Sequence, residues 1–301
     1  MKVVIVGAGA IGLLIGSYLG EQNHEITYVT RTSDQAHQLR VHGVTRLLQN
    51  GEKQRLSVHA VSNIGQAPQD ALWIVSVKVH HLHDIAEDIQ SLPMSTPLVF
   101  IQNGLEHLRW MERLPHAQLY IATIEHGAMK KNPTTVLHKG IGLTKVAPFR
   151  KSTKEQVDVS IFQSPSFQIE VMEDAHAIVL RKAILNACIN PITYILQIKN
   201  GELITNSYAN HLMKTIFIEI EKAFPEIIPN LSFDDVQNLC EKTSNNHSSM
   251  FQDRQNQRKT EIDPIVGAIL RLAAERNKKL PVLETVYQLI LAAEENGKFH
   301  G

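Results

Sequence analysis

Lys2, Val3, Val4, Ile5 and Val6 run straight into Gly7, Ala8, Gly9, Ala10, Ile11 and Gly12. A short run rich in β-branched residues suits a strand buried on both faces of a parallel sheet. The six residues after it have the spacing G-x-G-x-x-G. A helical stretch, 13–20, and a second strand, Glu25 to Val29, follow. That spacing alone is weak, but after a strand, before a helix and inside a βαβ unit of about thirty residues it marks a turn that holds a dinucleotide. Gly7 allows the tight turn, Gly9 lets the backbone approach a pyrophosphate, and Gly12 lets helix and strand pack closely. The helix N-terminus then faces the phosphates. Gly7, Ala8, Gly9, Ala10, Ile11 and Gly12 are therefore candidate cofactor-binding residues.

The end of the second strand bears on which dinucleotide. A site for NAD places Asp or Glu there, to bind the ribose 2′-hydroxyl. Here the chain reads Tyr28, Val29, Thr30, Arg31, Thr32, Ser33. No carboxylate is present, and Arg31 stands where a 2′-phosphate would lie, with two hydroxyl donors beside it. The expected cofactor is NADPH.

The alternation of strand and helix continues. Strands are predicted at 71–77, 97–102 and 119–123, with a helix over about 81–91 between the first two. Such alternation builds a doubly wound parallel sheet, whose ligands bind at the carboxyl ends of the strands. Lys78 and Asn103 sit at two such ends. The segment 125–148, with Asn132-Pro133 and several glycines, reads as a hairpin closing the first domain. A boundary falls near 165–173. The expected class is α/β: an N-terminal Rossmann domain, 1–170, and a C-terminal all-helical domain, 171–301.

A chain of 301 residues suits two such domains. Thirty basic and thirty acidic side chains cancel, so nothing points to nucleic acid or an anionic membrane as partner. The 15 histidines are scattered; none has convincing metal-ligand spacing, and no metal is expected. Cys188 and Cys240 lie in apolar helical contexts and read as small core residues in a reducing compartment. No window is apolar enough for a membrane span, and the N-terminal segment lacks the marks of a signal peptide. The expected location is cytoplasmic.

The second half is mostly helical. Around Val179 to Ile189 a buried helix is interrupted by Lys182, Asn186 and Asn190, four residues apart each time. On a 3.6-residue period the three span about 80° of arc and share a face. Asparagine is a poor choice for a solvated helix position, so the row suits a polar cleft better than open water. The helix should end or kink at Asn190-Pro191. The stretch 243–263 is dense in Ser, Asn and Gln, and its composition is that of a flexible loop. Asp263-Pro264 then starts a helix, Asp as N-cap and Pro at the first helical position. Gly267 inside that helix points to close packing or ligand approach, and Glu261 just ahead of it to a group projecting into a cleft.

Taken together, these residues resemble the ketopantoate reductases (2-dehydropantoate 2-reductases). The resemblance covers essentially the whole length. It rests on GAGAIG at 7–12, Lys78, QNG at 102–104, HGA at 126–128, K-x-x-x-N-x-x-x-N-P at 182–191, NGEL at 200–203, and N-H-S-S-M-x-Q-D with R-x-T-E-I-D between 246 and 263. It implies a Rossmann domain joined to a helical domain, with the active site in the cleft between them. The implied reaction is NADPH-dependent reduction of ketopantoate to (R)-pantoate, for pantothenate and coenzyme A. Lys182 is then the general acid that protonates the carbonyl oxygen, and Glu261 its acidic partner, also near the cofactor. Asn103, Asn186, Asn190, Asn200, Asn246 and Ser249 are the implied substrate-binding set. Asn103 and Lys78 would also lie by the cofactor, and Arg31 would meet the 2′-phosphate. Glu125, ahead of HGA, departs from the family's small residues and would alter that wall of the site. Other readings are a related NADPH-dependent reductase of another branched 2-oxoacid, or a non-catalytic NADP(H)-sensing protein, which would not require Lys182. The expected partner is a small-molecule 2-oxoacid, and the chain is expected to act as monomer or homodimer.

Overall fold

The computed structural model describes residues 1–150, 159 and 163–297. Residues 151–158, 160–162 and 298–301, which the expected domains take in, lie outside the described residues. The chain divides into two compact units, Met1–Gln102 with Arg109–Ile178 and Asn103–Leu108 with Val179–Gly301.

The first unit is built on an eight-stranded sheet. Its strands are β1 (Lys2–Val6), β2 (Glu25–Val29), β5 (His59–Val61), β6 (Leu72–Val75), β7 (Leu98–Phe100), β8 (Leu119–Ile124), β11 (Leu143–Arg150) and β12 (Gln168–Val171). They lie in the order β12-β11-β8-β7-β6-β1-β2-β5. Val3 to Val6 and all of β6 are buried, which is why these runs carry no polar alternation. Helices α1 (Ala10–Glu21), α2 (Ser33–His42), α3 (Ala86–Gln90) and α4 (Glu106–Met111, its residues up to Leu108 in the second unit) connect or follow the strands. The sheet is parallel except at one place: β11 runs antiparallel to β8, so it is mixed at that edge.

The hairpin expected over 125–148 divides between two sheets. Strands β9 (Gly127–Asn132) and β10 (Thr135–Gly140) pair as a hairpin. They join β3 (Val44–Leu48) and β4 (Lys53–Leu56) in a second sheet, ordered β4-β3-β10-β9, while β11 returns to the first. Helix α1 packs against both sheets. Arg46 of β3 lies over the Tyr18 ring at 3.7 Å and pairs with Glu21 at 2.6 Å, and the Tyr18 hydroxyl meets His138 Nδ1 at 2.8 Å. The helix expected over about 81–91 is α-helical only over Ala86–Gln90. Val79–His81 and His83–Ile85 are 3-10 turns, and Ile85, at ψ 4°, interrupts the ladder before the short α3.

The second unit is helical: α5 (Ala175–Leu196, its first residues in the first unit), α6 (Glu202–Thr205), α7 (Ser207–Ala223), α8 (Phe233–Lys242), α9 (Ser249–Gln255), a π-helical turn over Asp263–Gly267, α10 (Ala268–Glu275) and α11 (Pro281–Gly297). Three expectations are corrected. Helix α5 does not end at Pro191 but runs on to Leu196. The residues beyond the proline, Ile192, Thr193 and Tyr194, are almost wholly buried, so tertiary packing outweighs the local preference. The Thr193 hydroxyl bonds back to Asn190 O at 2.9 Å within the helix. The loop expected over 243–263 contains α9, capped by the Ser248 side chain, which accepts from the Phe251 N–H at 3.1 Å. Asp263 is not an N-cap. It is the first residue of the π-helical turn, and its carboxylate is taken up by Arg271 and Tyr287 at 3.0 and 2.6 Å. The close packing expected at Gly267 is present, since a methyl group there would overlap Asp263 Oδ1. Cys188 and Cys240 are buried free thiols, and burial pushes the Cys240 thiol up to about 12.

Candidate functional site

In the first unit, strand order reverses about β1, with β2 on one side and β6 on the other. Chains leaving neighbouring strands in opposite directions open a crevice at their carboxyl ends. The glycine turn sits there. Gly7 has φ +104°, a conformation that side chains rarely adopt. A Cβ on Gly12 would overlap Gly7 O, so only glycine lets α1 start this close to β1. Ser76, just past β6, braces the turn: its Oγ lies 2.7 Å from Gly7 O and 3.0 Å from Val6 O. A Cβ on Gly9, by contrast, would meet nothing within 4 Å. Helix α1 begins at Ala10 with no side-chain cap at Gly9. Its first-turn N–H groups lack intrahelical acceptors, and this open, donor-rich turn fits a pyrophosphate.

The first unit holds further candidates. Arg31 is exposed on the loop between β2 and α2. Thr32 caps α2, its side chain accepting from the Gln35 N–H at 3.3 Å, and Ser33 opens the helix. Lys78 is half-buried three residues beyond β6. His126 belongs to the core. It stacks on Phe167 at 4.4 Å, its Nδ1 accepts from the Gly142 N–H at 3.2 Å, and His138 Nε2 lies 3.1 Å away. Burial, with His138 beside it, holds His126 down at about 4, so the ring is neutral. Glu125 is exposed and its backbone N–H donates to Leu143 O at 3.0 Å.

In the second unit the polar row lies on α5. Lys182 and Asn186 are half-buried and Asn190 is buried, among neighbours that are nearly all closed to solvent. Asn190 Nδ2 lies 3.5 Å from the hydroxyl of Ser249, the first residue of α9. Asn103 donates its side-chain amide to the Glu261 carboxylate at 2.9 Å. That pair is set by a backbone contact: Leu105 N–H donates to Pro264 O at 3.0 Å, and a side chain on Gly104 (φ +80°) would overlap the same carbonyl. Asn200 is buried. Its Nδ2 donates to Thr243 Oγ1 at 2.9 Å and its backbone N–H to Asn246 O at 3.0 Å. Asn200 and Asn246 thus brace the start of α6 against the turn after α8. The structure brings together Asn103 with Glu261, Asn190 with Ser249, and Asn200 with Asn246.

Four residues carry no motif that would have singled them out. Ser76 holds the glycine turn. Gln35 and Lys130 both donate to Ala8 O, at 2.9 and 3.0 Å. His107 of α4 is buried with both ring nitrogens unpartnered among the described residues. Burial first, and the Lys182 charge second, push its pKa down to about 3, so it stays neutral beside the ammonium. Chemically, the second unit offers a half-buried cation on a helix with neutral amides, and one carboxylate held by an amide. Such a set can stabilise and protonate an oxygen that is gaining negative charge.

Residues 3–151 match the family model for ketopantoate reductase PanE/ApbA, and residues 174–294 the model for its C-terminal part. A 2-dehydropantoate 2-reductase of Listeria monocytogenes is 36% identical over 98% of this chain and 97% of its own. The crystal structure of a probable 2-dehydropantoate 2-reductase from Bacillus subtilis has a TM-score of 0.84 and 32% identity, covering 97% of this chain and 99% of its own. A D-mandelate dehydrogenase solved with NADH has a TM-score of 0.83 and 25% identity, covering 98% of this chain and 99% of its own.

Proposed function

The chain belongs to the ketopantoate reductase family, and on that premise we propose that it reduces 2-dehydropantoate to (R)-pantoate with NADPH. The family is one of pyridine-nucleotide oxidoreductases. The observation that carries the reading is the row Lys182, Asn186, Asn190, with Ser249 within reach of Asn190, on a stretch of helix whose residues 183–185 and 187–189 are buried and apolar.

The glycine turn 7–12 and the N-terminus of α1 hold the pyrophosphate, Arg31 the 2′-phosphate, and Lys78 lies by the cofactor. When bound, the cofactor supplies the hydride; the chain supplies position and charge. Asn186, Asn190 and Ser249 orient the oxoacid without adding charge. Lys182 stabilises the negative charge that builds on the carbonyl oxygen and gives it a proton from Nζ. Asn103 and Glu261 act as one bonded pair, the carboxylate fixing the amide that faces the reactants.

Growth of a strain that needs pantoate for lack of its own ketopantoate reductase tests this reading. Rescue by the chain, and none by the Lys182→Ala form, is expected. Failure of a well-expressed chain to rescue would move the substrate to another 2-oxoacid. The likeness to a D-mandelate dehydrogenase favours that as the second reading.

A further inference from the structure

Ala8 O, in the middle of the glycine turn, is where three parts of the first unit meet. Gln35 Nε2 of α2 donates to it at 2.9 Å and to Pro133 O, in the β9–β10 turn, at 2.8 Å. Lys130 Nζ of β9 donates to it at 3.0 Å. The second sheet thus delivers an ammonium group to the glycine turn. Arg31 follows β2 two residues beyond Val29, whose carbonyl accepts from the Gly7 N–H at 2.9 Å, so both cations border the glycine turn and the Arg31 charge bears on Lys130. Among the described residues neither Arg31 nor Lys130 has a carboxylate within ion-pair distance. Two neighbouring cations repel each other, and contact with the glycine turn takes part of the hydration from the otherwise exposed Lys130 ammonium. Both effects hold the Lys130 pKa below the usual lysine range, burial first. The arrangement is relieved by an anion that both can reach. A carbonyl oxygen uses only one of the three ammonium protons, which leaves donors for such an anion.

We propose that Lys130 is a second cation for the adenosine 2′-phosphate, so that preference for NADPH over NADH is shared between Arg31 and Lys130. The proposal rests on the NADPH reading above. It differs from a bracing role, in which Lys130 would only fix Ala8 and would serve both cofactors alike.

Dissociation constants of the whole chain for NADPH and NADH, measured by quenching of protein fluorescence, separate these roles. In Lys130→Met, NADPH binding should weaken about tenfold or more, as expected for loss of a charge-assisted bond, while NADH binding changes by less than about twofold. Lys130→Arg should keep most of the preference. Raising salt should weaken NADPH more than NADH in the parent chain, and this difference should shrink in Lys130→Met. Should the Met variant fail to fold, Lys130→Gln carries the same expectation. Equal weakening of both cofactors, or no change in either, would overturn the proposal while leaving the NADPH reading standing. A parent chain that binds NADH as tightly as NADPH would remove both.

Discussion

Asn103 donates its side-chain amide to Glu261 at 2.9 Å across 158 residues of chain. A carboxylate only accepts, so the nitrogen end of the amide must face Glu261, and the orientation of Asn103 is thereby fixed. Bonds to charged groups are worth about 1.5–3 kcal/mol. Asn103→Ala should lower kcat/KM for the oxoacid by about 10–100-fold if that orientation is used in the transition state. Asn103→Asp should be worse than Ala, because it sets two carboxylates against each other. Steady-state kinetics on both variants check this, and an Asp variant more active than the Ala variant contradicts it.

Arg31 stands exposed beyond β2, with no acidic residue in the position that would bind a ribose hydroxyl. Arg31→Ala should raise KM for NADPH about tenfold or more and leave KM for NADH nearly unchanged. Equal effects on the two cofactors would remove Arg31 from the 2′-phosphate.

Thr193, two residues past Pro191 in α5, bonds Asn190 O through its hydroxyl, which also lies 2.7 Å from Ser248 Oγ. Thr193→Val keeps the shape and removes the hydroxyl from a fully buried position. A loss of about 1–3 kcal/mol in unfolding free energy is expected, read from denaturant midpoints.

His107 titrates at about 3 in the folded chain because of burial and the Lys182 charge, and near 6.5 when unfolded. Below pH 6.5 the unfolded state therefore binds the extra proton. The stabilising contribution is fully present above pH 6.5 and is lost as pH falls toward 3, at about 1.4 kcal/mol per pH unit. Replacing the ring in His107→Leu removes that slope. The stability lost between pH 7 and pH 5 should shrink by about 2 kcal/mol. An unchanged acid dependence would refute the assignment.

Local order was legible where neighbours in sequence are neighbours in space. The strand, turn and helix over 2–21 follow from β-branched residues and glycine spacing, and β2 lies over Glu25–Val29 as the pattern predicts. The second sheet was not legible. Its β3 and β4 are short, carry Arg46, Lys53, Gln54 and Arg55, and exist because β10 lies parallel to β3 some ninety residues on. Lys130 and Gln35 escaped for the same reason, since only that pairing brings the hairpin to Ala8. The polar row stood out because Lys182, Asn186 and Asn190 break an apolar helix. The run through Pro191 did not, because burial of Ile192 to Tyr194 decides it. His107 reads in sequence as one histidine of 15.

The central claim is that Lys182 protonates the carbonyl of ketopantoate while NADPH is consumed. Steady-state NADPH consumption by the purified chain, with ketopantoate set against other 2-oxoacids and repeated in Lys182→Ala, tests it most directly. Ketopantoate should have the highest kcat/KM, and kcat should fall about 100-fold or more in the variant. NADPH consumed with other 2-oxoacids but not with ketopantoate, or near-normal turnover in Lys182→Ala, would contradict it.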